Sequence, residues 1–348
     1  MKKHIYIISP SGAVRDKAAF KRGLSRLKSL GHDVEVDEAA LKSHMRFAGD
    51  DETRLAGIQR AAASGANVVL TTRGGYGLTR LLPQLPYKAI AKAVEKGTQF
   101  VGMSDFTALQ CAVLAKTGSL TWAGPVLGGD FGTEEAPDDI MEACFDDFIT
   151  GSAEGSGWRL GKDDFAPAAA KKNASADSPK VSSTPASFHV KKATLWGGNL
   201  AVLTSLLGTP YFPQIKGGVL FLEDVGESPY RIERMLTQLL HAGVLAQQKA
   251  VVLGQFTEYQ LVPHDARFRL ATVVAWLRSQ LKVPVLTGLP FGHVPTKVML
   301  PVGAQIELAV EGREALMFWG HMHSSMGGHQ HAHHDHDHGH HHHGEHKH

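Results

Sequence analysis

The sequence predicts an α/β protein: an N-terminal doubly wound parallel-sheet domain followed by a C-terminal α/β domain, with a ligand cleft between them. Three observations carry this. Strand-like and helix-like stretches alternate along the chain, as parallel sheets with crossover helices require. Glycine-rich turns follow buried strands at Arg73-Gly74-Gly75-Tyr76-Gly77 and Gly102-Met103-Ser104, and in such sheets ligands bind beyond the carboxyl ends of the strands. Composition then breaks after Leu160, where residues 162–188 are rich in Ala, Lys, Ser, Pro and Asp with almost no large apolar side chains.

Taken in order, residues 5–9 read as a buried strand and 11–13 as a turn. Residues 18–30 carry Phe20, Leu24 and Leu27 at helical spacing and stop at Gly31, a C-terminal signal. Short strands over 33–36 and 67–72 flank a helix over 50–63. A helix over 88–96 leads to the strand that ends at Gly102. A segment like 162–188 buries too little surface to offset its ordering entropy. The expected organisation is therefore 1–150, a flexible linker or insertion over 151–190, a second domain over 191–320 and a tail over 321–348. In the second domain, strands over 219–222, 250–254 and 284–286 alternate with helices over 230–242 and 268–281. A hairpin over 304–319, turning at Glu311-Gly312, closes it.

Composition excludes several classes. The 348 residues are 43% hydrophobic and 20% charged, with a formal net charge of +2. That suits a globular protein and gives no basis for a nucleic-acid or membrane partner. Two cysteines, Cys111 and Cys144, make no disulfide framework and no metal spacing. The first apolar run is four residues before Ser9-Pro10, too short for a signal peptide. No 18-residue apolar run occurs, so a cytoplasmic location is expected.

Three residue types in this pattern suggest acyl-transfer chemistry. Ser104 sits at a strand–turn–helix junction, where a hydroxyl is lifted clear of the sheet beside free backbone N–H groups. Only half of the G-x-S-x-G elbow is present, because Phe106 replaces the second glycine; Ser104 or Asp105 serving as a helix cap accounts for the same residues. His293 follows a buried strand in a Gly/Pro-rich loop, the setting of a general base or of a histidine satisfied by loop backbone. Glu223 ends an apolar strand and needs a partner if buried. Asp224 and Glu227 are its rivals, and an acidic helix start before Tyr230 is a further account. Glycines 74, 75 and 77 let backbone N–H groups approach a ligand or simply form a turn. Ser104, Glu223 and His293 follow the chain order of α/β-hydrolase triads, and their common site would be the cleft between the domains.

With Arg73–Gly77 and Gly102–Thr107, the motifs Leu195-Trp196-Gly197-Gly198-Asn199-Leu200, Leu222-Glu223-Asp224-Val225-Gly226-Glu227 with Tyr230-Arg231, and Gly288-Leu289-Pro290-Phe291-Gly292-His293 resemble the LD-carboxypeptidase family of serine peptidases. The resemblance implies Ser104 as nucleophile, His293 as base and Glu223 as its orienting carboxylate. It also implies an oxyanion hole, placed at the Asp105 and Gly75 amides. Arg73, Tyr76, Trp196, Asn199 and Arg231 are candidate substrate contacts, the two arginines as cations for carboxylates. The implied substrate is a murein tetrapeptide cut between the L-centre of meso-diaminopimelate and terminal D-alanine, in cell-wall recycling. The resemblance further implies a homodimer and no cofactor for catalysis.

Alternatives of other kinds are a related hydrolase that inactivates a peptide–nucleotide antibiotic, and a two-lobed binding protein without catalysis. The tail mixes His with Asp, Glu and Gly; His333, His334, His336 and His338 are candidate weak ligands for Zn, Ni or Cu, or part of a polar tail with no task.

Overall fold

The computed structural model describes residues 2–161 and 187–320. Most of the expected insertion and the whole His-rich tail, with His333, His334, His336 and His338, lie outside the described residues. Two sheets form the molecule. The first has the order β11-β5-β4-β3-β1-β2 and contains β1 (His4–Ile8), β2 (Asp33–Val36), β3 (Val68–Thr71), β4 (Gln99–Gly102), β5 (Thr121–Ala123) and β11 (Leu300–Val302). Its first five strands are parallel and β11 is antiparallel. The order 2-1-3-4-5 reverses direction between β1 and β3, so the loops after Ile8 and Thr71 part around a crevice. The Gly12 amide still donates to the Gly74 carbonyl at 3.2 Å.

The helices of this half follow the patterns in the chain. Helix α1 (Lys17–Ser29) is capped by Asp16, whose carboxylate accepts from the Ala19 amide, and buries Phe20 and Leu27. Asp50 caps α2 (Asp51–Ala63) in the same way. Helix α3 is Tyr87–Glu95, α4 is Thr107–Thr117 and α5 is Asp139–Thr150. Losing such a cap costs about 1 kcal/mol.

The second sheet has the order β10-β9-β8-β7-β12-β13-β6. Strands β7 (Ser187–Asn199), β8 (Val219–Val225), β9 (Ala250–Thr257) and β10 (Val285–Leu286) are parallel. Strands β12 (Gln305–Glu311), β13 (Glu314–Phe318) and β6 (Gly155–Arg159) extend it antiparallel. Helices α6 (Leu200–Ser205), α7 (Pro229–His241) and α8 (Leu270–Gln280) complete this half. Val219, Leu220, Phe221 and Leu222 are all fully buried, the continuous apolar run of a doubly covered parallel strand. Burying each contributes about 1.5–3 kcal/mol.

The described parts of the expected linker over 151–190 contain strand structure. Strand β6 alternates exposed and buried, with Ser156 and Trp158 inward; its two glycines mask a period of two in the sequence. Strand β7 begins at Ser187, with Phe188 opposite Val310 of β12. The hairpin β12–β13 forms as its pattern predicts. Strand β11 belongs to the first sheet, although β12 follows it after two residues in the second. One apolar cluster therefore runs through both sheets. Among the described residues no helix is long and apolar enough to cross a membrane.

Candidate active site

Strand β4 delivers Ser104. Its neighbour Met103 is extended, residues 104–106 start a 3-10 turn, and α4 follows. Ser104 itself has φ 63°, a left-handed conformation that costs a non-glycine residue about 1–2 kcal/mol, the kind of strained turn found at functional sites. Glycines make room for it. A side chain on Gly102 would strike Phe106 and Thr71 at 2.7 Å, and one on Gly74 would lie 2.5 Å from both Cβ and Oγ of Ser104. Phe106 can thus occupy the place of the missing elbow glycine, because the close approach is made by Gly74 from the neighbouring loop.

Asp105 is buried and accepts from the Leu78 amide at 3.0 Å, pinning the glycine loop to the elbow. Burial raises its carboxyl above the usual range despite that hydrogen bond. Gly75 has φ 118° and packs against Gly12. Among the described residues no protein acceptor takes the Gly75 N–H.

Glu223 and His293 meet at the far sheet. Glu223 is fully buried near the end of β8. Across from it β9 carries an extra residue, because Leu222 pairs with Leu253 but Asp224 with Phe256. This bulge lets the Gln255 amide donate to the Phe291 carbonyl at 2.9 Å, drawing the loop after β10 over the strand end. Gly292, at φ 146°, then lies against Gln255 and Glu223 where a Cβ would come within 2.9 Å of the Gln255 carbonyl. The next residue, His293, places Nδ1 2.8 Å from Glu223 Oε2. Burial pulls the imidazole pKa down, but the hydrogen bond and negative charge of Glu223 outweigh it and leave His293 above its ordinary value.

Asn199 secures the carboxylates. Its Nδ2 donates to Glu223 Oε1 at 3.2 Å and to Asp224 Oδ1 at 2.9 Å, while its Oδ1 caps α6 by accepting from Val202. Its own amide donates to Thr107 Oγ1 at 3.0 Å, which ties β7 to the first turn of α4. Asp224 accepts the Ala201 and Val225 amides. Burial, with the nearby Glu223 charge, raises its pKa to about 6 against those hydrogen bonds. The three rivals therefore separate by partner: Glu223 holds the imidazole, Asp224 holds backbone and Asn199, and Glu227 pairs with Arg231.

Ser104 and His293 line one cavity of about 660 Å³, together with Arg15, Arg73, Gly74, Gly75, Asp130, Asp138, Glu258 and Lys297 among others. Loops and helices from both halves share its wall. No hydrogen bond joins the Ser104 hydroxyl to the imidazole among the described residues; such contacts are commonly loose before substrate arrives.

The candidate substrate contacts do not all reach it. Arg73 lines the cavity, and its Nη1 donates to the Ala13 carbonyl at 3.1 Å. Tyr76, 44% exposed, packs beside Phe47 under Arg46 rather than on the cavity wall. Trp196 is a correction: it is fully buried and donates to Gln248 Oε1 at 3.0 Å, so its bulk fills the core and touches no ligand. Asn199 is buried behind Glu223, and Arg231 is engaged by Glu227 on the surface.

Residues 5–124 match the LD-carboxypeptidase N-terminal domain and residues 192–308 the LD-carboxypeptidase C-terminal domain. The chain belongs to the LD-carboxypeptidase family. Within this peptidase family it is similar in structure to a muramoyltetrapeptide carboxypeptidase from Oxalobacter formigenes, with a TM-score of 0.77 and 37% identity over 91% of this chain and 98% of that one. The protein named probable murein peptide carboxypeptidase of Bacillus subtilis is 27% identical over 312 residues, 89% of this chain and 90% of its own. The microcin C7 self-immunity protein MccF of Escherichia coli is 26% identical over 323 residues, 88% and 89% of the two chains.

Several residues that shape this candidate site carry no signal in the sequence. Lys297 and Asp130 form an ion pair with side chains only 4% and 3% exposed, and Thr296 donates to Asp138 Oδ2 at 2.5 Å. Both contacts anchor the loop after His293 to the other sheet's half. A lysine four residues past a loop histidine carries no periodic signal. Among the described residues no group of three or more His, Cys, Asp or Glu could hold a metal ion.

Proposed function

We propose that this protein is a serine-type LD-carboxypeptidase that uses Ser104, His293 and Glu223 to release terminal D-alanine from murein tetrapeptide in the cytoplasm, at a site in the cleft between the two sheets. The observation that carries this reading is the Glu223–His293 hydrogen bond on the wall of the cavity that also holds Ser104 on its left-handed turn. The names of the Oxalobacter and Bacillus relatives support the choice of substrate.

The imidazole Nδ1–H donates to Glu223, leaving Nε2 to accept the Ser104 proton as Oγ attacks the carbonyl carbon of the L-centre of meso-diaminopimelate. The tetrahedral oxyanion accepts from the Asp105 and Gly75 amides. As the C–N bond breaks, Nε2–H protonates the departing amine of D-alanine. Water, deprotonated by the same nitrogen, then cleaves the acyl ester and regenerates Ser104. Base and oxyanion donors each contribute about 10²–10⁴ in rate.

The deciding experiment incubates the protein with murein tetrapeptide and measures free D-alanine, beside an acyl-nucleotide substrate of the kind the MccF resemblance suggests. Release of D-alanine, lost in Ser104→Ala, supports the reading. Turnover of the acyl nucleotide alone replaces it with the immunity-type reaction. Tight peptide binding with no turnover of either replaces it with a binding role.

A further inference from the structure

Two arginines on the cavity wall, Arg15 and Arg73, have no part in the proposed triad. Arg73 sits there half-buried, with only the Ala13 carbonyl as a hydrogen-bond acceptor. Arg15 lines the same wall, and Arg46 stands close by over the Tyr76 ring. Five arginines elsewhere pair with acids, Arg54 and Arg80 with Asp51, Arg60 with Asp37, Arg159 with Glu314 and Arg231 with Glu227, while Arg22, Arg26 and Arg313 donate to backbone carbonyls. Among the described residues no carboxylate pairs with Arg15, Arg46 or Arg73. Burial, reinforced by the charges of Arg15 and Arg46, holds the Arg73 guanidinium below its usual value. Arg73 feels the like charges of Arg15 and Arg46 with no carboxylate paired to it, and an anion held by its guanidinium relieves that repulsion.

Arg73 is also close to the reacting groups. A Cβ on Gly75 would lie 3.9 Å from Arg73 Nη2, and one on Gly74 would lie 2.5 Å from Ser104 Oγ. Arg73 and Ser104 thus both border the Gly74-Gly75 pair. In a carboxypeptidase substrate the terminal carboxylate lies two bonds beyond the scissile nitrogen, so its counter-ion has to stand beside the nucleophile. Lys297, the other cation on the wall named above, is occupied by Asp130. The geometry points to Arg73, supported by Arg15 and Arg46, as the subsite that binds the free carboxylate of the departing residue. This inference rests on the carboxypeptidase reading. A planar guanidinium matches a carboxylate with two parallel hydrogen bonds, and the requirement excludes amidated or extended peptides.

The test compares a tetrapeptide ending in D-alanine with its D-alaninamide counterpart, in wild type, Arg73→Gln, Arg73→Lys and Arg15→Gln. Wild type should favour the acid by about 100-fold in kcat/KM, and Arg73→Gln should collapse that ratio toward one. Arg73→Lys should restore part of it, and the exposed Arg15→Gln should lower it by a smaller factor. A wild type indifferent to amidation overturns the subsite, as does an Arg73→Gln that slows acid and amide alike. A loss of preference for diaminopimelate over lysine, with the acid-to-amide ratio intact, assigns the arginines to the side-chain carboxylate and also overturns it. The same comparison by calorimetric binding in a Ser104→Ala background separates the two readings. Acid preference that depends on Arg73 without any wild-type turnover keeps the subsite and discards the reaction.

Discussion

Lys297 reaches Asp130 from the loop that carries His293, and both side chains are almost wholly excluded from water. The second Asp130 oxygen accepts the Val126 amide at 2.7 Å. Asp130 lies in a single π-helical turn, Leu127–Phe131, of the first half. The pair therefore fixes the loop of the candidate base to the half that carries the candidate nucleophile. Lys297→Met would leave a buried carboxylate with one hydrogen bond and no counter-charge. The expected cost is about 3–5 kcal/mol, read as a lower urea midpoint, with kcat falling more than KM rises. An unchanged midpoint would show that the pair holds nothing in place.

The left-handed backbone at Ser104 separates strain from chemistry. Ser104→Ala and Ser104→Gly both remove the hydroxyl, and both should abolish turnover while peptide still binds. Only glycine adopts φ 63° without cost. Ser104→Gly should therefore be about 1 kcal/mol more stable than Ser104→Ala, measured by thermal or urea unfolding of the two inactive proteins. Equal stabilities would mean that the turn is not strained in solution.

Glu223→Gln keeps the shape at the imidazole and removes its negative partner. His293 acts as a base only when neutral, so activity in wild type should rise with pH through a value above that of an ordinary histidine. In Glu223→Gln the limb should move to lower pH, and kcat should fall about 10²–10⁴-fold. The sign for folding is the opposite one. A raised histidine pKa contributes stability that is complete below the unfolded value and lost as pH rises through the folded one. The pH–kcat profile of both proteins checks the limb, and an unshifted limb would detach Glu223 from the titrating group.

Gly74→Ala tests the close approach that substitutes for the absent elbow glycine. Its methyl group would come within 2.5 Å of Ser104 Cβ and Oγ, so the serine must move. Gly74 does not have a positive φ, and the backbone itself accepts alanine. The expected result is a folded protein with kcat/KM lower by about 100-fold, measured on D-alanine release. Full activity would place the working hydroxyl elsewhere.

Much of the fold was legible because parallel strands buried on both faces are written as short apolar runs. Residues 5–8, 68–70 and 219–222 announce themselves in this way, as do helices stopped by glycine at 31 and 243. Strand β6 was not legible, since its two glycines erase the alternation that Ser156 and Trp158 retain. Strand β11 was not legible as part of the first sheet, because pairing with β5 is a contact between residues some 180 positions apart. At the site, the types and order of Ser104, Glu223 and His293 stand in the sequence. The choice of Glu223 over Asp224 and Glu227 does not, because three acids in five residues differ only in what they meet.

Local physics thus determined the alternating elements, the glycine turns at strand ends and a short set of candidate nucleophiles, acids and bases, since each depends on neighbours in the chain. Tertiary structure alone decided that a bulge in β9 brings His293 onto Glu223, that Trp196 fills core space, and that Lys297 finds Asp130. It also left Arg73, on the cavity wall, with no carboxylate paired to it among the described residues. Those outcomes depend on register, packing and charge between segments far apart in sequence, and no local pattern encodes which of several chemically equivalent side chains will arrive.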